Sequence, residues 1–375
     1  MVRGKPTPEE TPLRSDPAKR LRDLLGPRTR DHVDLMEKVK AHYVSTDRDA
    51  RLQSEIEMMI EDAVKRRDLS RPYGADNRLE GTAIAIISES GAGKTSAMLN
   101  YLRNNPFFPN YGNPDGGCQL ITVGVKAPCT LRQLGMATLR SAGYASMREY
   151  SESEAWPQAH FIIAEQQILF MHYEEAQRII KQKNIEVRKQ IVETLAGLMT
   201  DPVWPLYLIL SGLPAIKDLF QDGFIGITKA ASELDAHVTL KRRTRFVDFL
   251  PIDLKADRKV LDSGLKQYEK LAGVSLAVVN EAEARARLSH AAARQLGLFF
   301  QITVLAIDAC VRAGRKAVTL DDYADGYAAR TQEPVDLNPF IGDHWESIDT
   351  KIIKRGDEEE EEGVAGKPER RRSDT

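Results

Sequence analysis

Eight residues constrain this chain more than any other feature. Ser88 to Thr95 reads SESGAGKT, directly after Thr82 to Ile87, TAIAII, a short apolar run with β-branched residues. A buried strand that feeds a slim turn and then a helix makes a phosphate cradle. Small residues let backbone N–H groups wrap the β-phosphate. A lysine bridges the β- and γ-phosphates, a hydroxyl serves Mg2+, and the helix N-terminus faces the anion. Gly91, Ala92 and Gly93 keep the turn slim, Lys94 is the ammonium and Thr95 the hydroxyl. Ser88, Glu89, Ser90 and Ser96 complete the segment. The usual pattern opens on glycine, and Ser88 departs from it while staying small. The segment predicts ATP with Mg2+ as cofactors.

The rest of the chain supplies the frame. Further strands are expected at 119–125 (QLITVGV), 161–164 (FIIA), 205–210 (PLYLIL) and 246–250 (FVDFL). Helices are expected between them, including those from about 165 to 199. This alternation predicts an α/β fold with a doubly wound parallel sheet. Two amphipathic helices precede it, at about 31–43 and 47–67, with Leu52, Ile56, Met59 and Ile60 on one face of the second. After Pro251 the strand signal fades into helical patterns near 255–271, 278–285, 288–313 and 319–329. These predict a small helical lid domain, with Thr319 capping the last helix. The expected division is a disordered lead-in over 1–30, N-terminal helices over 31–78, the phosphate-loop core over 79–250, the lid over 251–335 and a charged tail over 336–375. Glu358 to Glu362 and Arg370 to Arg372 give that tail its charge blocks.

Composition narrows the partners. Among 375 residues, 42% are apolar and 29% charged, with a net charge of −2. Bulk charge therefore selects no nucleic acid, and any such contact needs a local basic patch. Three cysteines without metal-ligand spacing, no apolar leader and no membrane-length run predict a cytoplasmic protein with no membrane partner.

Proteins with this loop usually carry a second signature, an apolar run ended by Asp-Glu. The matching stretch is expected at His160 to Gln167, HFIIAEQQ. In one register Ala164 replaces the aspartate and Glu165 is the catalytic glutamate. In the other Glu165 replaces the aspartate and Gln166 stands for the glutamate. Both place Glu165 at the metal and the reaction, and both remove one carboxylate, so binding is expected with weak or absent turnover. Ser211, at the end of LILSG, is expected to sense the γ-phosphate. The cluster LKRRTRF offers Arg245, then Arg243 and Arg242, as an arginine finger for a neighbouring subunit. Arg294 is expected to reach the nucleotide from the lid. Lys126 and Arg132, after the second strand, are the expected contacts to DNA phosphates.

Taken together these residues resemble an AAA+ ATPase, and more narrowly the TniB family of transposition ATPases, akin to TnsC and MuB. The loop SESGAGKT is similar to the family's Gly-Glu-Ser-Gly-Ser-Gly-Lys-Thr. YVSTDRDARLQSEIEMMI, Tyr43 to Ile60, resembles its N-terminal helix. LYLILSGLPAI, Leu206 to Ile216, resembles its sensor strand and following turn, and RFVDFLPID, Arg245 to Asp253, its approach to the lid. The resemblance spans about 40–335. It implies an ATP-dependent homo-oligomer, ring or filament, on double-stranded DNA that recruits a transposase, with a target-selection adaptor as a further partner. The alternative is a non-hydrolysing, nucleotide-dependent assembly scaffold not tied to DNA.

Overall fold

A computed structural model describes residues 16–113, 116–127, 129–144, 149–221 and 231–354. Five parallel strands form one sheet: β1 (Ala83–Ser88), β2 (Leu120–Gly124), β3 (Phe170–Glu174), β4 (Tyr207–Gly212) and β5 (Thr244–Phe249). Their spatial order is β2-β3-β4-β1-β5. Every pairing is parallel, so all the strands' C-terminal ends lie along one edge. Ligands of such sheets bind at that edge, where the strand order reverses.

β1 is buried throughout because both of its faces are covered. Ala83, Ala85 and Ile87 join a core with α5 (Leu131–Ser141), α6 (Glu152–Glu165) and α8 (Ile185–Thr200). Ile84 and Ile86, one residue out of phase, join a second core with α3 (Asp47–Ala63) and α4 (Lys94–Asn104). The period of two puts alternate side chains into different layers. α7 (Gln177–Ile180) and α9 (Ala231–Arg243) complete the connections.

A third core holds the lid: α10 (Arg258–Ala272), α11 (Ala282–Ala291), α12 (Leu296–Arg312) and α13 (Leu320–Thr331). α2 (Pro27–Ala41) belongs to it through Met36 and Val39, so the two expected N-terminal helices separate. α3 instead packs on the sheet. The lead-in is helical at α1 (Pro17–Asp23), where Asp16 caps the first turn. Phe340 and Ile353, in the expected irregular tail, are also buried in the lid core. The Glu358–Glu362 and Arg370–Arg372 runs lie outside the described residues.

One expected strand is absent. Residues 161–164 lie in α6, opened by the Ser151–Glu154 capping box. Ala155, Ala159, Ile162 and Ile163 form its buried, helix-spaced face. The third strand is Phe170–Glu174, inside the region expected to be helical. No single helix among the described residues is long and apolar enough to cross a membrane.

Candidate nucleotide site

β1 ends at the buried Ser88 and hands the chain to the loop. Gly91 and Gly93 take φ of 78° and 94°, the left-handed region that suits glycine. Gly93 is the N-cap of α4, so the loop runs straight into a helix N-terminus. Lys94 is buried at the start of that helix, and Thr95 follows it. The turn is thus built to surround an anion with amides.

Thr95 Oγ1 donates to Glu174 Oε1 at 2.8 Å. Glu174 ends β3, and its register partner in β4 is Ser211. The sheet therefore brings the loop hydroxyl, a carboxylate and Ser211 to one edge, where Ser211 is buried and is not part of the cleft wall. Hydroxyl and carboxylate are hard oxygen donors of the kind Mg2+ takes, so Thr95 and Glu174 fit that ion.

Glu175 comes next and lines the cleft. Its φ of 61° is unusual for a residue with a Cβ and marks local strain at the strand tip. Gln177 Nε2 donates to its carboxylate at 2.8 Å, while Gln177 Oε1 accepts the Leu213 N–H at 3.1 Å. Gln177 thus ties the second acid to the chain just after β4. Arg178 stands 3.9 Å from Glu175 and donates to the Val125 carbonyl.

The cleft above the loop measures about 850 Å³ and is walled by Tyr43, Phe249, Tyr268 and Phe300. Its far wall is the lid. Leu298 N–H, in the first turn of α12, donates to the Gly91 carbonyl at 3.0 Å. A Cβ on Gly297 would stand 2.6 Å from that same carbonyl, so only glycine permits the approach. Lys354 reaches Glu89 at 3.4 Å.

Beneath the loop lies a polar row. Tyr111 OH is 2.6 Å from Thr122 Oγ1, Thr122 Oγ1 is 3.1 Å from His172 Nδ1, and His172 Nε2 is 2.8 Å from Ser211 Oγ. His172 is buried in β3, two residues before Glu174. Burial first, and the Lys94 charge second, push its pKa down to about 3, so the ring is neutral.

Several expected site residues stand elsewhere. Glu165 is exposed on the last turn of α6 and is not part of the cleft wall, which corrects its assignment to catalysis and metal binding. Glu174 and Glu175 occupy that place, so both carboxylates are present. Sequence reasoning missed them because it took the first apolar run, not the second, for the strand. The signal was the Glu-Glu pair closing FMHY. Arg245 is held within its own chain by Glu55 at 2.9 Å and Asp62 at 3.6 Å, and Arg243 pairs with Glu80. Arg242 is exposed at the end of α9. Arg294 turns onto the Ile252 carbonyl at 3.1 Å and does not line the cleft. Lys126 is exposed after β2 and, with Arg132, lines a smaller cavity. Arg132 donates to Glu149 at 2.7 Å and to the Tyr150 carbonyl.

The strand order, the loop at the end of β1 and the helical lid define an AAA+ fold. No family model matches the chain, and no curated protein matches it in sequence. Among the solved structures similar to it are two from Aeropyrum pernix. One is the Aeropyrum pernix Orc1 protein in complex with DNA, at 13% identity and a TM-score of 0.53, covering 80% of this chain and 70% of that one. The other is the Aeropyrum pernix ORC2 protein with ADPNP and ADP, at 12% identity and a TM-score of 0.50, covering 78% and 70%. At these identities the likeness concerns the fold.

Proposed function

We propose that this chain is an ATP-binding AAA+ switch that assembles as a ring or filament on double-stranded DNA. The observation that carries the nucleotide reading is the 2.8 Å bond from Thr95 to Glu174 at the end of the phosphate loop. Loop amides from Gly91 to Lys94 would take the β-phosphate, Lys94 would bridge to the γ-phosphate, and Thr95 with Glu174 would hold Mg2+. When bound, the metal offsets charge on the phosphate oxygens. Glu175 would orient the attacking water and take its proton. Two acids at the β3 tip support turnover, contrary to the weakening expected from Glu165.

The DNA reading is supported by the exposed Lys126 after β2 and by the DNA-bound state of one similar structure. The finer reading, a TniB-type regulator that recruits a transposase, rests on the loop, sensor-strand and lid-approach phrases of the sequence. Three free cysteines suit a cytoplasmic setting.

Calorimetry with ATP and Mg2+ tests the site. Lys94→Ala should weaken uptake about tenfold to a hundredfold, the range for hydrogen bonds to charged groups. Unchanged uptake would remove the loop from the argument. Fluorescence anisotropy with duplex DNA tests the rest. Binding is expected with ATP and to weaken as salt rises. No binding at low salt with ATP present would leave the scaffold alternative, and equal binding without nucleotide would remove the switch.

A further inference from the structure

The loop, the acids and Ser211 account for the edge of the sheet. They leave unexplained why a histidine lies in the middle of β3. A buried imidazole in an apolar strand costs free energy unless both ring nitrogens are partnered. Here both are, by Thr122 on β2 and Ser211 on β4. Thr122 is the register partner of His172. Tyr111 partners Thr122 in turn.

A neutral imidazole has one donor nitrogen and one acceptor nitrogen. Whatever Thr122 does at Nδ1 therefore fixes what Nε2 offers Ser211. If Nδ1 accepts, Nε2 donates, and the Ser211 hydrogen is free to point elsewhere. Ser211 cannot satisfy itself from water, because it is 1% exposed. Its register partner is Glu174, the carboxylate already bonded to Thr95. The direction of one buried serine hydroxyl, beside the carboxylate that meets the phosphate loop, is thus set from the rear, through three strands.

We propose that His172 is a positioning residue for Ser211: the row Tyr111–Thr122–His172–Ser211 sets the direction of the serine hydroxyl beside Glu174, its register partner, and so sets how well the site separates ATP from ADP. The inference rests on the nucleotide reading above and adds to it the residue that governs phosphate discrimination. His172 touches no nucleotide; it acts through Ser211.

The test compares uptake of a non-hydrolysable ATP analogue and of ADP, both with Mg2+, by calorimetry on the full chain. His172→Phe keeps an aromatic ring, somewhat larger, and loses both bonds. It should cut the preference for the triphosphate about tenfold while ADP affinity stays, the effect of one misdirected hydrogen bond to a charged group. His172→Gln, which retains an amide donor, should restore part of the preference. In a Ser211→Ala background, His172→Phe should add nothing, because the group it aims is gone. Thr122→Val, nearly isosteric, tests the row from its rear and should lower the preference in the same direction. Equal losses for ATP analogue and ADP, or additive losses with Ser211→Ala, would make His172 a packing residue and overturn the proposal. Should the unaltered chain take up neither nucleotide, the site reading itself falls, an outcome distinct from a lost preference.

Discussion

At the scale of single residues, the site turns on which carboxylates face the loop. Glu174 is bonded to Thr95, and Glu175 lines the cleft with its backbone in the left-handed region. Glu175→Gln keeps the shape and the hydrogen bonding but removes the base. Phosphate release should fall about 10²–10⁴-fold while ATP affinity holds. Glu165→Ala, on the outside of α6, should leave both unchanged. A malachite-green assay run beside calorimetry separates the two outcomes. Equal losses from the two variants would return Glu165 to the site. Gln177 sits between these levels, because its amide holds Glu175 while its carbonyl accepts from Leu213. Movement at the end of β4 therefore reaches the second acid through one side chain.

At the scale of elements, local signals were legible and non-local ones were not. The loop, β1, β2, β4, β5 and the helical character of the lid follow from residues adjacent in sequence, although the helix expected over 288–313 is broken at 292–295, between α11 and α12. Thr319 is an example: it caps α13, and Asp322 closes the capping box while Arg315 clasps the same carboxylate. Burial works to raise the Asp322 pKa, but the Arg315 and Thr319 hydrogen bonds outweigh it and the net shift is downward. The folded carboxylate therefore holds its proton more weakly than the unfolded one near 3.9. Its stabilisation is present above that value and is lost as pH falls through the lower folded value. Asp322→Asn should cost about 1–2 kcal/mol at pH 7, as caps and charge-assisted bonds do. The gap from the unaltered chain should close in strong acid, as read by urea midpoints. A constant gap would assign the loss to packing alone.

β3 shows where local reading ends. Its FMHY run is interrupted by His172, whose partners come from strands 50 and 39 residues away. Nothing beside it in sequence says that its polarity is satisfied. The earlier run FIIA is more apolar, and Pro157 inside α6 obscures the helical spacing that leads to it. The arginines failed differently. LKRRTRF shows a basic cluster, but only the fold reveals that Arg245 faces Glu55 and Asp62 on α3.

At the scale of the whole molecule, sheet and lid meet at glycines. A Cβ on Gly297 would approach the Gly91 carbonyl and the Gly93 amide at 2.6 and 3.0 Å. Gly297→Ala must push the lid from the loop, with overpacking typically costing about 1–3 kcal/mol. The rise in melting temperature that ATP confers on the unaltered chain should shrink in this variant, because a displaced lid no longer walls the cleft. An undiminished rise would show that the lid contributes nothing to nucleotide retention. Segments on either side of the core support the same contact. α2 packs into the lid core, and the segment carrying Lys354 runs from that core to Glu89 of the loop.

The bond between Leu298 and Gly91 has a mechanical side. No side chain caps α12, so one of the N–H groups that every helix leaves open at its start is satisfied by the phosphate loop itself. Swinging the domain outward would strip the helix of that cap, a loss on the order of 1 kcal/mol. The lid is accordingly latched to the loop by backbone alone, so a change of side chain at residue 298 would leave the latch in place.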